Sequence, residues 1–246
     1  MPKFFVDQSQ IIDQDIEIIG DDVNHIKNVM RMNLGDEITI NDRQGHDYEC
    51  IINNISVDRI KCTIKNTTVS QNEPLVYTCV FQSFIKGEKM DFMIQKSVEI
   101  GVSKIIPIFT ERCVVKLDDK KRIETKIGRW NKIAESAAKQ SGRGIVPIVD
   151  MPLSYEKAIK YASENLGKSC IPYEKENSTT LKYFLTENSY SSLGIFIGPE
   201  GGLTEEEIQL AVSYNIKPVT LGKRILRSET AGLVVLSNIM YEAGEM

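Results

Sequence analysis

Two short segments near the C-terminus repeat the same order of features, and that order constrains the fold more than any other part of the chain. The first reads Gly-Pro-Glu-Gly-Gly-Leu at 198–203 and follows the apolar run 193–197. The second reads Leu-Gly-Lys-Arg-Ile-Leu-Arg-Ser-Glu-Thr-Ala at 221–231 and follows the strand-like segment 216–220. Each is typical of a strand, a glycine-containing loop and a helix start. Because open α/β sheets bind ligands beyond the carboxyl ends of their strands, we expect the two loops to lie side by side at one ligand-binding edge.

The first loop favours a neutral or cationic ligand over a phosphate. Thr204 and Glu207 have the spacing of a helix capping box. The carboxylates of Glu200, Glu205 and Glu206 would repel a polyphosphate at this helix start. Neither a P-loop motif nor a dinucleotide-binding glycine motif after a strand occurs in the chain. S-adenosylmethionine, which carries an adenosine, a zwitterionic amino acid and a sulfonium, fits such a loop, whereas the plainer alternative is two ordinary turns before capped helices.

The composition sets limits on the class of protein. The chain has 246 residues, of which 41% are apolar and 26% charged, enough for one large or two small globular domains. No apolar run approaches the roughly 20 residues that span a bilayer, and the first residues lack the apolar core of a signal peptide. The five cysteines form no Cys-x-x-Cys pair, which favours reduced thiols over a disulfide or zinc framework. We therefore expect a cytoplasmic protein with no membrane segment and no metal site.

Charge is unevenly distributed along the chain. Residues 1–75 carry 7 basic and 13 acidic side chains, residues 76–143 carry 14 and 8, and residues 144–246 carry 9 and 13. The net charges of −6, +6 and −4 add up to the −4 of the whole chain. A basic middle between acidic flanks is compatible with a phosphate-binding face, and equally with a solvated helical surface.

The first third of the chain has the pattern of a small β domain. Short β-branched runs separated by turn residues predict strands at Glu37–Asn41, Tyr48–Ile55 and Arg59–Lys65. One short helix is predicted over residues 21–32, capped by Asp21 or Asp22. Several short strands at this spacing suggest a small barrel. The polar stretch 67–74 is the predicted linker, so the first domain is expected to cover residues 1–72.

The rest of the chain, residues 73–246, alternates strand and helix patterns. Strands are predicted at 75–84, 105–109, 146–149 and 169–172, and helices at 86–100, 122–141, 154–165 and 180–187. This alternation predicts an α/β fold with a doubly wound parallel sheet. The last predicted helix, residues 229–243, is apolar nearly all round and must be buried on several sides, as at a subunit interface.

The two C-terminal loops together resemble the signature of the SPOUT methyltransferase superfamily, and more closely that of the bacterial 16S ribosomal RNA (uracil-N3)-methyltransferase family. The matching patterns are Gly-Pro-Glu-Gly-Gly-Leu-Thr-x-x-Glu from 198 and Leu-Gly-x-Arg-Ile-Leu-Arg-x-Glu-Thr-Ala from 221. Other segments similar to this family are 25–36, 86–102, 111–113 and 138–143. The resemblance covers nearly the whole chain, and the paired motifs are specific because both must follow strands in the right order.

The resemblance implies an N-terminal PUA-like β-barrel that binds RNA and a C-terminal SPOUT-like parallel sheet with a trefoil knot. It implies a homodimer whose cofactor pockets lie beside the subunit interface. The implied reaction is S-adenosylmethionine-dependent methylation of N3 of one uridine near the 3′ end of 16S rRNA, in the assembled 30S subunit. A 2′-O-ribose RNA methyltransferase of the same superfamily and a non-catalytic RNA-binding ribosome-assembly factor are the alternatives.

The resemblance also implies which residues form the site. Arg112, Arg227 and Glu229 are the predicted catalytic residues, the arginines to stabilise negative charge on uracil and Glu229 as a candidate proton acceptor. The predicted cofactor-binding residues are Ile197, Gly198, Pro199, Glu200, Gly201, Gly202, Leu221, Gly222, Ile225, Leu226, Arg227 and Ala231. The predicted RNA-binding residues are Lys3, Arg31, Lys86, Lys96, Gln140 and Arg143.

One departure from the family concerns the start of the chain. The family usually has an arginine before an aromatic pair, whereas here Lys3 precedes Phe4 and Phe5. Lysine keeps the charge but loses the planar guanidinium. RNA binding should be weaker if this residue stacks on RNA, and little changed if it contacts only a phosphate.

Overall fold

The computed structural model describes residues 3–113, 119–187 and 190–246. Its contacts divide the chain into two compact units. The first comprises Met1–Glu73 and Ala138–Val146, and the second comprises Pro74–Ala137 and Pro147–Met246. The segment Ala138–Val146 belongs to the first unit although it lies in the middle of the chain, and no local sequence pattern indicates this. Within the described ranges, every helix is too short or too polar to cross a membrane.

The first unit is built on a six-stranded sheet. Its strands are β1 (Lys3–Phe5), β2 (Ile11–Ile12), β3 (Asp15–Ile19), β4 (Glu37–Asn41), β5 (His46–Ile55) and β6 (Arg59–Val69). The strand order is β1-β4-β5-β6-β3-β2, with β1 parallel to β4 and the other pairs antiparallel. The three strands predicted from the sequence are confirmed. No pairing between β1 and β2 closes the sheet into a hydrogen-bonded ring among the described residues.

Alternation along these strands builds the core of the first unit. Successive side chains of a strand point to opposite faces, so isoleucines two positions apart share one face. Ile16 and Ile18 of β3 and Ile38 and Ile40 of β4 are all buried in this way. The strands β1 and β2 were not predicted, because they have only three and two residues, and β3 was missed although it is as long as β4.

The helix predicted over residues 21–32 is shorter and less regular than its pattern suggests. Helix α1 covers Asp21–Asn24, and a π-type turn follows over His25–Val29. The predicted aspartate cap was wrong, because the N-cap position is Gly20, whose φ of 77° is accessible to glycine. Arg31 adopts the left-handed conformation with φ of 56°, which a right-handed helix cannot continue through.

The second unit is a parallel sheet of seven strands with helices between them. The strands are β7 (Tyr77–Ser83), β8 (Lys104–Phe109), β9 (Ile148–Val149), β10 (Leu153–Ser154), β11 (Lys168–Pro172), β12 (Ser192–Ile197) and β13 (Lys217–Val219). Their order is β10-β8-β7-β12-β11-β13, and β9 pairs with β8. The predicted α/β alternation and parallel sheet are confirmed.

Six further helices follow the predicted positions closely. They are α2 (Lys89–Ile100), α3 (Lys120–Ser141), α4 (Tyr155–Asn165), α5 (Leu181–Thr186), α6 (Glu205–Ser213) and α7 (Ser228–Glu242). Phe81 of β7 stacks on Phe196 of β12 with ring centroids 4.3 Å apart, at the centre of the sheet's core. Helix α7 packs against α2 and buries Val235, Leu236 and Ile239, as its apolar sequence predicted.

The two C-terminal loops meet at one edge of the sheet, as predicted, although the strands that precede them are not neighbours. Strand β11 lies between β12 and β13, yet the Ser228 hydroxyl at the end of the second loop donates to the Gly198 carbonyl of the first. The loop after β11 therefore opens at the same carboxyl edge as the two motif loops. Sequence order alone cannot reveal this, because strand order in a doubly wound sheet depends on how the connections cross.

Candidate functional site

A cavity of about 580 Å³ lies at the carboxyl ends of β11 and β12 in the second unit. This volume lies in the range of small-molecule pockets. Segments from three loops and the first residue of α2 line it: residues 172–174, 197–203, 225–229 with Ala231, and Lys89. The cavity is therefore assembled from chain segments that are distant in sequence but meet at one sheet edge.

Most of the residues predicted to bind the cofactor line this cavity. Those that do so are Ile197, Gly198, Pro199, Glu200, Gly201, Gly202, Ile225, Leu226, Arg227 and Ala231. Leu221 and Gly222 are not among the lining residues. Ile225 is 85% exposed, so its side chain stands at the mouth rather than in the interior. The roles of these residues stay predictions.

Sequence reasoning did not assign several residues that line the cavity. Tyr173 and Glu174 belong to the loop after β11, and Lys89 begins α2. Leu203 and Ser228 also line it. A signal existed for the first two, because they directly follow a predicted strand and so had to lie at the carboxyl edge. Lys89 lies in a segment that the family resemblance covers, but nothing in its spacing connected it with the two loops.

The first motif loop is held by backbone and capping contacts. Gly202 donates its N–H to the Pro199 carbonyl at 3.0 Å and has a φ of 70°, which favours glycine. The predicted capping box is present, since Glu207 accepts from the Thr204 N–H at 2.9 Å and the Thr204 hydroxyl accepts from the Glu207 N–H. The other carboxylate oxygen of Glu207 accepts from the Glu111 N–H at 2.9 Å. One buried carboxylate therefore fixes the start of α6 against the loop that follows β8.

Arg112 contacts the first motif loop from outside the cavity. Its guanidinium donates to the Gly201 carbonyl at 3.0 Å and to the Leu203 carbonyl at 3.5 Å. Arg112 forms no ion pair with the nearby carboxylates of Glu99 or Glu111 among the described residues, and Glu99 pairs with Lys96 instead. Arg112 is not one of the residues lining the cavity, so its contacts support the loop.

The second motif loop leads into α7 and brings charged groups to the cavity. The carbonyl of Arg227, the N-cap residue of α7, accepts from the Thr230 and Ala231 N–H groups, while its side chain is exposed. Glu229 lies in the first helical turn, and its Oε1 is 3.5 Å from the Lys89 ammonium. Its Oε2 is buried and has no hydrogen-bond partner among the described residues.

A second carboxylate, that of Glu200 in the first motif loop, also lies near the Lys89 ammonium. Its Oε1 lies 3.9 Å from the Lys89 ammonium and accepts from the Lys86 N–H at 3.1 Å. The cavity lining therefore contains the carboxylates of Glu200 and Glu229 and the ammonium of Lys89. Lys89 and Glu229 lie at the starts of α2 and α7. No group of three or more possible metal-ligating side chains comes together in the described part of the chain.

The predicted RNA-binding residues have very different surroundings. Lys3 is largely but not fully buried and its ammonium pairs with Asp47 at 2.9 Å, whereas Arg143 is buried and its guanidinium pairs with Glu73 at 2.6 Å. Lys96 donates to both carboxylate oxygens of Glu99. The exposed members of the set are Arg31, Lys86 and Gln140. A phosphate could bind Lys3 or Arg143 only by competing with the partly buried carboxylates of Asp47 and Glu73.

Comparison with known proteins gives an independent view of the chain. A family model described as RNA methyltransferase domain matches residues 71–240, and one described as RNA methyltransferase PUA domain matches residues 18–65. The ribosomal RNA small subunit methyltransferase E of Bacillus subtilis strain 168 is 36% identical over 253 residues, covering 98% of this chain and 97% of that protein.

Solved structures agree with the sequence comparison. The crystal structure of a ribosomal RNA small subunit methyltransferase E from Neisseria gonorrhoeae, bound to S-adenosyl methionine, has a TM-score of 0.83 at 30% identity and covers 98% of this chain and 97% of its own. A putative methyltransferase from Legionella pneumophila, in complex with the bound cofactor SAM, has a TM-score of 0.85 at 28% identity, with coverages of 97% and 96%.

Proposed function

The chain belongs to the ribosomal RNA small subunit methyltransferase E family, and on that premise we propose that it methylates N3 of one uridine near the 3′ end of 16S rRNA with S-adenosylmethionine as methyl donor. The observation that carries the proposal is the cavity that both C-terminal motifs line at the carboxyl edge of the parallel sheet. It belongs to a fold shared over nearly the full chain with proteins crystallised with this cofactor.

The lining residues fit S-adenosylmethionine. Ile197, Leu203 and Leu226 supply an apolar surface for adenine. A Cβ atom at Gly198 would lie 3.1 Å from the Leu203 side chain, so a larger residue here would require Leu203 to shift. The buried Glu229 Oε2, which has no hydrogen-bond partner in the described part of the chain, offers an acceptor for a cationic ligand. When bound, S-adenosylmethionine supplies a methyl group that its sulfonium has already activated.

Arg227 is our candidate for the residue that stabilises the target base. N3 of neutral uracil carries a proton, and its loss leaves negative charge on the ring. The exposed Arg227 guanidinium lines the cavity, where it can stabilise that charge at the uracil oxygens. At such an exposed position, water can accept the proton. The Arg112 guanidinium donates to two carbonyls of the first motif loop. Arg112 is therefore proposed to position this loop, which holds the cofactor.

The target base must leave any stack to reach a cavity of this kind. We propose that the first unit, which contains the PUA-domain match, docks the RNA, with residues 1–72 as the RNA-binding domain and 73–246 as the methyltransferase domain. The proposed partners are the assembled small ribosomal subunit and a second copy of this chain in a homodimer. This substrate would place the enzyme in the cytoplasm. The trefoil knot in the second unit likewise stays part of the proposal.

Methyl transfer in vitro tests the proposal. Purified protein and labelled S-adenosylmethionine are incubated with small subunits that lack the modification, and the methylated nucleoside is identified by mass spectrometry. We expect N3-methyluridine. It should be lost in Arg227→Ala, and in Gly201→Val because a Cβ at Gly201 already meets the Arg112 Cβ at 3.3 Å. Arg122→Ala, at an exposed position on α3, is the control that should retain activity.

The other outcomes identify the alternatives. A 2′-O-methyl product would move the enzyme to the sister class of the superfamily while keeping its cofactor. Cofactor binding without any methyl transfer, on free rRNA or on assembled subunits, would favour an assembly factor. Absence of cofactor binding would contradict the proposal, because the proposed reaction needs S-adenosylmethionine as methyl donor. Light scattering of the purified protein tests the proposed dimer separately.

A further inference from the structure

Lys89 and Glu229 form a loose pair in the cavity, and both keep unused hydrogen-bonding capacity. Their charged atoms are 3.5 Å apart, and Lys89 is 3.9 Å from Glu200. An ammonium has three donors, yet the Lys89 Nζ makes no hydrogen bond within the described ranges. Glu229 Oε2 is buried and accepts no hydrogen bond from the described residues. The pair thus presents one available donor group and one available acceptor atom to the same ligand.

The charges of the lining constrain the ligand further. Two cationic side chains, Lys89 and Arg227, and three carboxylates, Glu174, Glu200 and Glu229, line the cavity. The lining therefore carries one net negative charge. S-adenosylmethionine carries an ammonium, a sulfonium and a carboxylate, and hence one net positive charge. Because a buried carboxylate oxygen without a partner is unfavourable, a ligand cation beside Glu229 would stabilise the site.

The positions of both residues are set by helix packing and not by mobile loops. Lys89 is the first residue of α2, and Glu229 is the second residue of α7. These two helices pack against each other in the second unit. Groups on packed helices keep their separation when a ligand binds, which lowers the cost of ordering them.

We propose that Lys89 and Glu229 bind the amino-acid end of S-adenosylmethionine, with Lys89 donating to its carboxylate and Glu229 Oε2 accepting from its ammonium. This assignment rests on the proposed function and deepens it, because it states which groups recognise the zwitterion. It makes Glu229 a cofactor-binding residue and not the acceptor of the uracil proton. It also leaves the apolar lining to the adenosine end.

Binding calorimetry with three cofactor analogues tests the assignment without any catalytic turnover. S-adenosylhomocysteine has the complete amino-acid end, its decarboxylated form lacks only the carboxylate, and methylthioadenosine lacks the whole amino-acid end. The variants are Lys89→Met and Glu229→Gln, which remove charge but keep the approximate shape. The matched controls are Lys157→Met on α4 and Glu242→Gln at the other end of α7, both at exposed positions.

Each variant has its own expected pattern. Lys89→Met should weaken S-adenosylhomocysteine by about tenfold or more, the effect of one charged hydrogen bond, and should not weaken the decarboxylated form or methylthioadenosine. Glu229→Gln should weaken the first two ligands by a similar factor and leave methylthioadenosine within about twofold of the parent. Retained methylthioadenosine affinity also shows that the variant is folded.

Two results would overturn the assignment. Equal losses for all three ligands would mean that the pair supports the cavity as a whole, and unchanged affinities would mean that it does not touch the ligand. Glu229→Gln could instead reduce methyl transfer and leave the affinity for S-adenosylhomocysteine unchanged. That result would assign Glu229 to proton transfer and not to cofactor binding. Failure of the parent protein to bind any analogue would instead contradict the proposed function, so the two failures are distinguishable.

Discussion

The hydroxyl of Ser228 donates a hydrogen bond to the backbone carbonyl of Gly198 across 2.5 Å. This bond connects the first residue of α7 to the loop after β12, and so joins the two C-terminal motifs. The side-chain amide of Gln82, fully buried on β7, donates to the same hydroxyl at 3.0 Å. A central strand therefore holds both loops at a fixed separation through one serine.

Replacing this serine should loosen the cavity and destabilise the second unit. Ser228→Ala leaves the Gln82 amide and the Gly198 carbonyl without this partner, so the free energy of unfolding should fall by about 1–3 kcal/mol. Urea unfolding followed by fluorescence of the buried Trp130, the single tryptophan, measures this change. Ser213→Ala is the control, because that hydroxyl donates to the Leu210 carbonyl at an exposed position. Equal effects of the two substitutions would contradict the linking role.

The capping carboxylate of α6 should matter far more than its neighbours in the same turn. Glu207→Ala removes the acceptor of both the Thr204 and Glu111 N–H groups, and should lower the free energy of unfolding by about 1–3 kcal/mol. Glu206→Ala, one residue earlier and exposed, should change it by less than about 0.5 kcal/mol. Thermal and urea unfolding provide the measurement. A Glu206 effect as large as that of Glu207 would show that general charge at the helix start, and not the cap, is responsible.

We expect Lys3 to contribute to the stability of the first unit and not to contact RNA directly. Its ammonium contacts Asp47, the Ser70 hydroxyl and the Gly142 carbonyl, all in the first unit. Lys3→Met should therefore destabilise that unit by about 1–3 kcal/mol, seen as faster amide hydrogen exchange in β4 and β5. Lys65→Met, in an exposed ion pair, should have little effect. Reduced affinity for small subunits with unchanged exchange would instead identify Lys3 as a direct RNA ligand.

The buried cysteines give a pH dependence with a definite sign. Burial raises the pKa of the thiols of Cys50, Cys62, Cys79 and Cys170 from 9.0 to about 12. Above pH 9 the thiols of the unfolded protein lose protons that those of the folded protein retain. The free energy of unfolding therefore keeps its full value below pH 9 and decreases as the pH rises towards 12. Urea unfolding at several pH values measures the slope. Cys170→Ala should show a smaller slope than the parent, and an identical slope would contradict the assignment.

The same burial predicts low thiol reactivity. All five cysteines are free and buried, in agreement with the absence of paired cysteine motifs. A thiol reagent at pH 8 should therefore label the native protein slowly and the urea-unfolded protein at all five positions. Rapid labelling of Cys79 or Cys170 in the native protein would show that these thiols are accessible.

Local patterns were sufficient where the structure depends on near neighbours in the chain. The period of apolar residues predicted α2 and α4 to within a few residues, and a capping box at Thr204 marked the start of α6. Glycine-containing loops after strands indicated the ligand edge of the sheet. Helix periodicity, caps and turns depend on contacts within about four residues, and such contacts are visible in the sequence.

The cavity itself required the tertiary structure. The position of β11 between β12 and β13 brings Tyr173 and Glu174 to the cavity that the two motif loops line. The packing of α2 against α7 brings Lys89 to Glu229, 140 positions later in the chain. Likewise, Lys3 and Arg143 are predicted RNA ligands in the sequence, but in the fold they pair with the carboxylates of Asp47 and Glu73.

The sequence by itself therefore determined the fold class, the order of its elements and the two loops that make a ligand site possible. Only the tertiary structure decided which other residues complete that site and which charged groups remain available to a ligand. The physical reason is that strand order and helix packing result from burial of apolar surface summed over the whole chain. Charge pairing follows from those distant contacts, and no short stretch of sequence contains that information.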